Sequence, residues 1–236
     1  MSHKKKMVSQ NLTIIIIFLS NFSSLAHIEP AGHNSQITQT KNETQTQTRT
    51  KTVAYIESSC QETRYPDLCI RSLSTFAKYS TIDGPDHLAH IALSVSLTKA
   101  LQTRGYLLKV VKQLEDEINN PSGHVYLTIQ DCVQQINDSV DQLSQAIKEL
   151  RRVNNLGKNI NDKILWHISN VETWVSTALT DASYCVQSFP GYRMSKRTAT
   201  IKVKAQNVAE VTSNGLALFH RYAVKYREAA RSAKKP

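Results

Sequence analysis

Apolar residues recur at intervals of three and four along most of the chain after residue 85. This spacing is typical of helices that bury one face. Breaks at residues 119–123, near Gly157 and at Pro190-Gly191 divide the pattern into four segments. The sequence therefore predicts four long helices joined by short connections, which favours an all-α, up-down-up-down four-helix bundle.

Each predicted helix has its own row of apolar residues. The first row is Leu93, Leu97, Ala100, Leu101, Leu107, Leu108, Val111, Leu114 and Ile118. The second is Tyr126, Ile129, Val133, Ile136, Val140, Leu143, Ile147 and Leu150. The third is Ile164, Ile168, Val171, Val175, Ala178, Ala182, Cys185 and Phe189, and the fourth is Ile201, Ala205, Val208, Thr212, Gly215, Phe219 and Tyr222. We expect these rows to form the core.

A shorter unit precedes the bundle. Within residues 53–80, Pro66 lies between Cys60 and Cys69, which predicts two short helical pieces folded back on each other. We expect one folded domain over residues 53–228, made of this hairpin (53–80) and the bundle (85–228). A basic tail, residues 229–236, is expected to follow.

The N-terminal residues have the pattern of a secretory signal peptide. Lys4, Lys5 and Lys6 precede a short apolar run, and Ser24 and Ala26 have the small side chains of a cleavage site. We interpret residues 1–26 as a signal peptide. Residues 27–52 are rich in Thr and Gln without an apolar face, and are predicted to be a disordered polar linker. A short membrane anchor is the alternative for residues 1–26; once the signal is removed, no association with a membrane is expected.

Four cysteines in an exported chain predict two disulfides. Cys132 and Cys185 lie at nearly equal distances on either side of the break near Gly157, so an antiparallel hairpin of helices would place them side by side. Cys60 and Cys69 are close in sequence with a proline between them. We therefore predict Cys60–Cys69 and Cys132–Cys185.

The charge and motif content limits the classes of function. The formal net charge is +10, and removing three signal lysines and no acidic residue leaves +7. The region from residue 193 onward is rich in Lys and Arg, so an anionic polysaccharide is one candidate partner, with a solvated basic surface as the alternative. The sequence has no phosphate loop, CxxC, HExxH or nucleophile elbow, and no nucleic-acid readout motif. His87 and His90 lack a third metal ligand. We expect no enzyme activity, cofactor or metal.

One predicted helix has an unusual outer face. Thr173, Thr177, Thr180 and Tyr184 fall within a 60° stripe at 100° per residue, opposite the apolar row. Small hydroxyl side chains on a rigid helix allow close approach of a partner and lose little conformational entropy on docking. A binding surface is one interpretation, and a neutral surface or a contact within the chain is the other.

Four blocks resemble the plant invertase/pectin methylesterase inhibitor family. They cover about residues 53–224 and include all four cysteines. The blocks are YIESSCQETRYPDLCIRSLS (55–74), DCVQQINDSVDQLSQAIKEL (131–150), SNVETWVSTALTDASYC (169–185) and VAEVTSNGLALF (208–219). The resemblance implies a secreted four-helix bundle with a helical hairpin in front of it, and the same two disulfides.

The resemblance also implies an inhibitor that covers the active-site cleft of pectin methylesterase as a monomer in a 1:1 complex. Inhibition of cell-wall or vacuolar invertase is the alternative, but Pro190-Gly191-Tyr192 stands where invertase inhibitors have Pro-Lys-Phe. A pectate-binding wall protein is the more distant alternative. The expected location is the apoplast, with the vacuole as the alternative.

The central bundle helices are the ones that the resemblance places against the enzyme. The predicted contact residues are Thr173, Thr177, Thr180 and Tyr184, with Gln134, Asp138, Asp141 and Gln142 on the facing side of the second helix. Asn42 and Asn137 begin glycosylation sequons, of which the one at Asn137 lies within a predicted helix.

Overall fold

The structure is a computed structural model that describes residues 35–79, 81–82, 84–117, 123–156, 162–189, 191 and 194–233. Within these residues there are six α-helices and no strand. The helices are α1 (Ser35–Cys60), α2 (Pro66–Leu73), α3 (Pro85–Glu117), α4 (His124–Asn155), α5 (Asp162–Gln187) and α6 (Lys196–Ala233). A 3₁₀ turn, Phe76–Lys78, follows α2.

The chain divides into two compact units, Met1–Asn42 and Glu43–Pro236. Of the first unit, the structure describes residues 35–42, which are helical. The predicted signal peptide, residues 1–26, lies outside the described residues. The second unit contains the bundle and the hairpin.

Helices α3 to α6 form a closed four-helix bundle. α3 packs against α4 and α6, and α5 packs against the same two helices. Consecutive helices are antiparallel. The Tyr126 hydroxyl at the start of α4 donates to Glu115 near the end of α3 at 2.8 Å, and Cys132 near the start of α4 is bonded to Cys185 near the end of α5. Arg227 near the end of α6 donates to Glu172 in the first half of α5. The predicted up-down-up-down bundle is therefore confirmed.

The predicted rows of α5 and α6 are buried throughout, whereas two predicted core residues of α3 are wrong. Leu101 and Leu108 are exposed, and Ser96 and Thr103 take core positions instead. The Ser96 hydroxyl is satisfied by the carbonyl oxygens of Ala92 (3.0 Å) and Val211 (3.1 Å). A small hydroxyl group whose hydrogen bonds are satisfied is tolerated in a core. A prediction that uses apolar residues alone therefore omits buried positions such as Ser96 and Thr103.

The hairpin packs on α3 and α6 through a separate apolar cluster. Ile56 and Leu73 contribute to it from the hairpin, with Leu88 and Leu218 from the bundle. The Asn214 side chain accepts a hydrogen bond from Tyr65 N (3.1 Å) and donates one to Tyr65 O (2.9 Å). Through these two bonds the Asn214 side-chain amide pairs with the backbone of Tyr65 and holds the start of α2 on α6.

The structure contains the two disulfides expected from the sequence. The Cα atoms are 5.6 Å apart in Cys60–Cys69 and 4.7 Å apart in Cys132–Cys185. The first joins the end of α1 to α2, and the second joins α4 to α5. Within the described residues no cysteine is free.

At two segment boundaries the described helices run further than the sequence pattern indicated. α1 begins at Ser35, so residues 35–52 of the predicted disordered linker are helical, while residues 27–34 lie outside the described residues. This stretch contains neither Pro nor Gly, so the helix that packs from Thr52 onward can extend backwards along it. α6 likewise runs to Ala233, through most of the predicted tail (229–236).

Two glycines offer a matched test of bundle packing. A Cβ added at Gly105 on exposed α3 surface meets nothing within 4 Å, whereas one at Gly215 comes within 3.2 Å of Leu93 Cδ2 and 3.3 Å of Ser96 Oγ. We expect Gly105→Ala to raise the free energy of unfolding by about 1 kcal/mol through helix propensity. Gly215→Ala should lower it by about 1 kcal/mol because of overpacking. Urea unfolding of both variants checks this; equal stabilisation by both would contradict the packing described.

Among the described residues, none of the helices has the length and apolarity needed to cross a membrane.

Candidate functional site

The predicted hydroxyl stripe lies on the outer side of α5. Thr173, Thr180 and Tyr184 are exposed and Thr177 is partly exposed, while Val175 and Ala178 on the opposite side are buried. The three threonines of the stripe lie in a shallow depression, and Tyr184 does not line it. The depression is lined by Ser169, Glu172, Thr173, Ser176, Thr177 and Thr180. Ser169 and Ser176 extend the hydroxyl pattern and were not selected from the sequence, although they fit the same helical spacing.

The threonine hydroxyls of this stripe bond to their own helix. Thr173 Oγ1 donates to Ser169 O (2.9 Å), Thr177 Oγ1 to Thr173 O (2.9 Å) and Thr180 Oγ1 to Ser176 O (3.0 Å). Each hydroxyl has one donor and two acceptor lone pairs. Because the donor is already used, the stripe presents acceptors and methyl groups to a partner.

The predicted contact residues of the second bundle helix lie on α4, beside α5. Gln134 and Asp141 are exposed, and Gln134 Nε2 donates to Asp138 Oδ1 at 2.9 Å. Gln142 is partly buried, and its Oε1 has no hydrogen-bond partner among the described residues. The two helices are tied by Ser139 Oγ, which donates to Ala178 O at 3.0 Å. The structure thus places both predicted sets on adjacent helices, although α5 alone lines the depression.

Asp181 adds a carboxylate between these two sets. Burial, with a further contribution from the nearby Asp138 carboxylate, raises the pKa of Asp181 above its ordinary value. Its Oδ2 has no hydrogen-bond partner among the described residues. The repulsion between the Asp181 and Asp138 carboxylates depends on how α5 packs against α4, so the pattern within one helix did not indicate it.

A buried polar network joins α4 and α5 beyond the stripe. Glu149 is fully buried, and its carboxylate lies 2.6 Å from His167 Nδ1 and accepts hydrogen bonds from Asn170 Nδ2 (3.1 Å) and Arg152 Nη1 (2.5 Å). Burial disfavours the charged form, but the three hydrogen bonds outweigh burial and lower the pKa of Glu149. The ionised carboxylate is therefore the form that this network stabilises.

This network predicts a loss of stability in acid. A carboxylate whose folded-state pKa is lowered stabilises the fold above its unfolded pKa, and this contribution is lost as pH falls through the folded value. We expect Glu149→Gln to lower Tm at pH 6, and the difference from the parent to shrink as pH falls below about 4.5. Thermal unfolding between pH 6 and pH 3 measures this; a constant difference would show that Glu149 stabilises only by packing.

The late basic residues are largely engaged within the chain. Arg227 bonds to Glu172, Arg197 to Glu117, and Arg221 Nη1 donates to Ser59 O at 2.9 Å. Lys204 lies 4.9 Å from the ring centre of Tyr106, and Lys225 lies 4.6 Å from that of Tyr222. Among the described residues, much of the positive charge therefore lies along α6 with partners beside it, whereas residues 234–236 of the predicted basic tail lie outside the described residues.

Within the part of the chain that the structure describes, no group of three or more His, Cys, Asp or Glu side chains is placed to hold a metal ion.

Asn137 is partly buried in the middle of α4, and Ser139 of its sequon is fully buried. Asn42 lies within α1. Glycosylation at either position stays a prediction.

A family profile described as plant invertase/pectin methylesterase inhibitor matches residues 54–218, which is more than half of the chain. The chain belongs to this family. Pectinesterase inhibitor 9 of Arabidopsis thaliana is 38% identical over 172 residues, covering 72% of this chain and 81% of that protein. The 21 kDa protein of Daucus carota is 36% identical over 174 residues, covering 73% of this chain and 86% of that protein.

A solved structure shares the fold of this family member. A crystal structure of a mutant form of a pectin methylesterase inhibitor from Arabidopsis superposes with a TM-score of 0.52 at 17% identity, covering 68% of this chain and 92% of that one. At this identity the likeness concerns the fold alone. The matched residues 54–218 begin within α1 and contain α2, both disulfides and the hydroxyl stripe.

Proposed function

We propose that this protein inhibits pectin methylesterase by binding the enzyme and covering its active-site cleft, which limits removal of methyl esters from pectin. The observation that carries the proposal is the 38% identity to a protein named pectinesterase inhibitor 9. Pectinesterase inhibitor 11, 31% identical over 74% of the chain, supports the same target. Membership in an inhibitor family agrees with the expectation that the chain is not an enzyme.

The outer side of α5 is the proposed contact surface. Thr173, Thr177, Thr180 and Tyr184 would meet the enzyme, and the α4 residues Gln134, Asp138, Asp141 and Gln142 would extend the contact. A rigid helix with small side chains loses little entropy on docking. Inhibition would then be steric: the inhibitor excludes the polymer from the cleft, and no bond is made or broken in the inhibitor.

Two other partners remain as alternatives. Invertase is the target of the other branch of the family, so the same bundle would serve a different enzyme. Pectate is favoured by the net charge of +7 that remains without the three signal lysines, although the engagement of Arg197, Arg221 and Arg227 within the chain leaves fewer cations available. Co-sedimentation with pectate at low and high salt tests the second alternative, because a charge-driven complex weakens as salt rises.

We further propose that the protein is exported to the apoplast, where pectin and its esterase meet, with the vacuole as the alternative. The support is the signal-peptide pattern of residues 1–26 and the two disulfides, which persist in oxidising compartments. Mature protein mixed with a plant pectin methylesterase should elute from a size-exclusion column as a complex of one molecule of each. Separate elution of the two proteins at micromolar concentration would contradict the proposal.

A further inference from the structure

Two large side chains are exposed where α4 ends and α5 begins. The Trp166 side chain is 60% exposed and that of Arg152 is 64% exposed. Both are held by the buried Glu149 network. Arg152 Nη1 donates to Glu149 Oε2, His167 Nδ1 lies 2.6 Å from Glu149 Oε1, and the Trp166 ring lies edge-on to the His167 ring at 4.9 Å between centres.

The contribution of the Glu149 network to stability does not by itself account for this arrangement. Burying a carboxylate carries a desolvation penalty, and a buried ionic network is weak evidence for stability. An exposed arginine also loses side-chain entropy when it is held in one position. What the network does achieve is to fix an exposed guanidinium and to seat an exposed indole against a buried ring.

Trp166 also lies in line with the hydroxyl stripe. It is seven residues before Thr173, which corresponds to a rotation of about 20° around α5. Tyr184, 55% exposed, lies eighteen residues after Trp166, or roughly 27 Å along the helix axis. The outer side of α5 therefore has an exposed aromatic ring at each end and small hydroxyl side chains between them.

We propose that Trp166 and Arg152 are an anchoring pair for pectin methylesterase at the α4–α5 end of the contact surface, held in place by Glu149. The inference rests on the proposed function and adds residues that the sequence pattern did not select. Trp and Arg are enriched among residues that dominate binding energy. The guanidinium keeps N–H groups that can bind a carboxylate of the enzyme, and the indole offers apolar area beside it.

Truncation of each anchor is the first test. We expect Trp166→Ala and Arg152→Ala each to raise the inhibition constant roughly thirtyfold, the size of a hot-spot loss. The matched controls are Tyr79→Ala, an 86% exposed aromatic, and Arg71→Ala, an exposed arginine on α2. The controls should inhibit as the parent does. Anchor variants that inhibit within twofold of the parent would overturn the proposal.

The role of Glu149 as a positioning residue needs a readout that a purely structural role would leave unchanged. Glu149→Gln should weaken inhibition in the parent background and have little further effect when Arg152 and Trp166 are both already Ala, because Glu149 acts through these two side chains. Equal effects of Glu149→Gln in both backgrounds would contradict positioning. Tm of every variant is recorded so that loss of folding is separated from loss of binding.

The same variants separate failure of the anchor from failure of the proposed function. If the parent inhibits invertase and not pectin methylesterase, the proposed function is wrong and so is the enzyme assigned to this anchor. If the parent inhibits pectin methylesterase and the anchor variants do too, only the anchor is wrong. Unchanged inhibition with loss of pectate co-sedimentation would assign the pair to the polysaccharide and overturn its role in enzyme binding.

Discussion

Thr177→Lys is expected to weaken inhibition of pectin methylesterase roughly thirtyfold or more, a loss of ~2 kcal/mol or more at a central contact. Thr177 lies in the middle of the hydroxyl stripe and lines the depression on α5. Lysine would place a long charged side chain on a surface made mainly of methyl and hydroxyl groups, where the neighbouring Glu172 carboxylate is already paired with Arg227. The inhibition constant of the purified variant measures the effect.

The control for this variant is Thr98→Lys. Thr98 is exposed on α3, which lies diagonally across the bundle from α5, and its hydroxyl donates to Ser94 O at 2.8 Å as Thr177 does to Thr173 O. Both substitutions should leave Tm nearly unchanged, because both side chains point away from the core. If Thr177→Lys inhibits as well as Thr98→Lys does, the stripe is only surface.

Removal of the Cys132–Cys185 disulfide is expected to produce the largest loss of stability. The bridge joins residues 53 apart in sequence, so the chain-entropy estimate is about 4 kcal/mol for the double variant Cys132→Ala/Cys185→Ala. For a domain of this size, that loss lowers Tm by on the order of 10 °C. Calorimetry of the purified variant measures it.

The Cys60–Cys69 bridge provides the comparison. It joins residues only 9 apart, for which the same estimate is about 2.5 kcal/mol. The hairpin also packs on α3 and α6 through Ile56, Leu73, Leu88 and Leu218. We therefore expect Cys60→Ala/Cys69→Ala to be the milder double variant. A larger loss from this variant would show that the hairpin, rather than the α4–α5 pair, limits stability.

The bundle could be predicted because the spacing of apolar residues that marks each helix is contained within that helix. A row such as Ile164, Ile168, Val171 and Val175 marks one face of a helix whatever its neighbours are, and all four are buried. The Cys132–Cys185 pair followed from the same helices once the break near Gly157 was located, and the Cys60–Cys69 pair from closeness in sequence. The prediction was wrong at Leu101 and Leu108, which are exposed, and it omitted the buried Ser96. The hydrogen bond from Ser96 to Val211 links residues 115 apart in sequence, so no pattern within one helix contains it.

The candidate site was predictable in part for the same reason. The hydroxyl stripe is a property of one helix, so helical spacing identified Thr173, Thr177 and Thr180. The Glu149 network joins two helices, α4 and α5. The sequence alone does not distinguish Trp166 from other aromatic residues, because its contact with the His167 ring is visible only in the structure. Such arrangements depend on the packing of α4 against α5, which no single-helix pattern contains.

Titration of the purified mature protein into two separate assays, one of a plant pectin methylesterase and one of a plant invertase, tests the central claim most directly. The account predicts that pectin methylesterase activity falls in proportion to added protein and is lost near one equivalent, whereas invertase activity is unchanged. Loss of invertase activity with pectin methylesterase unaffected would contradict it.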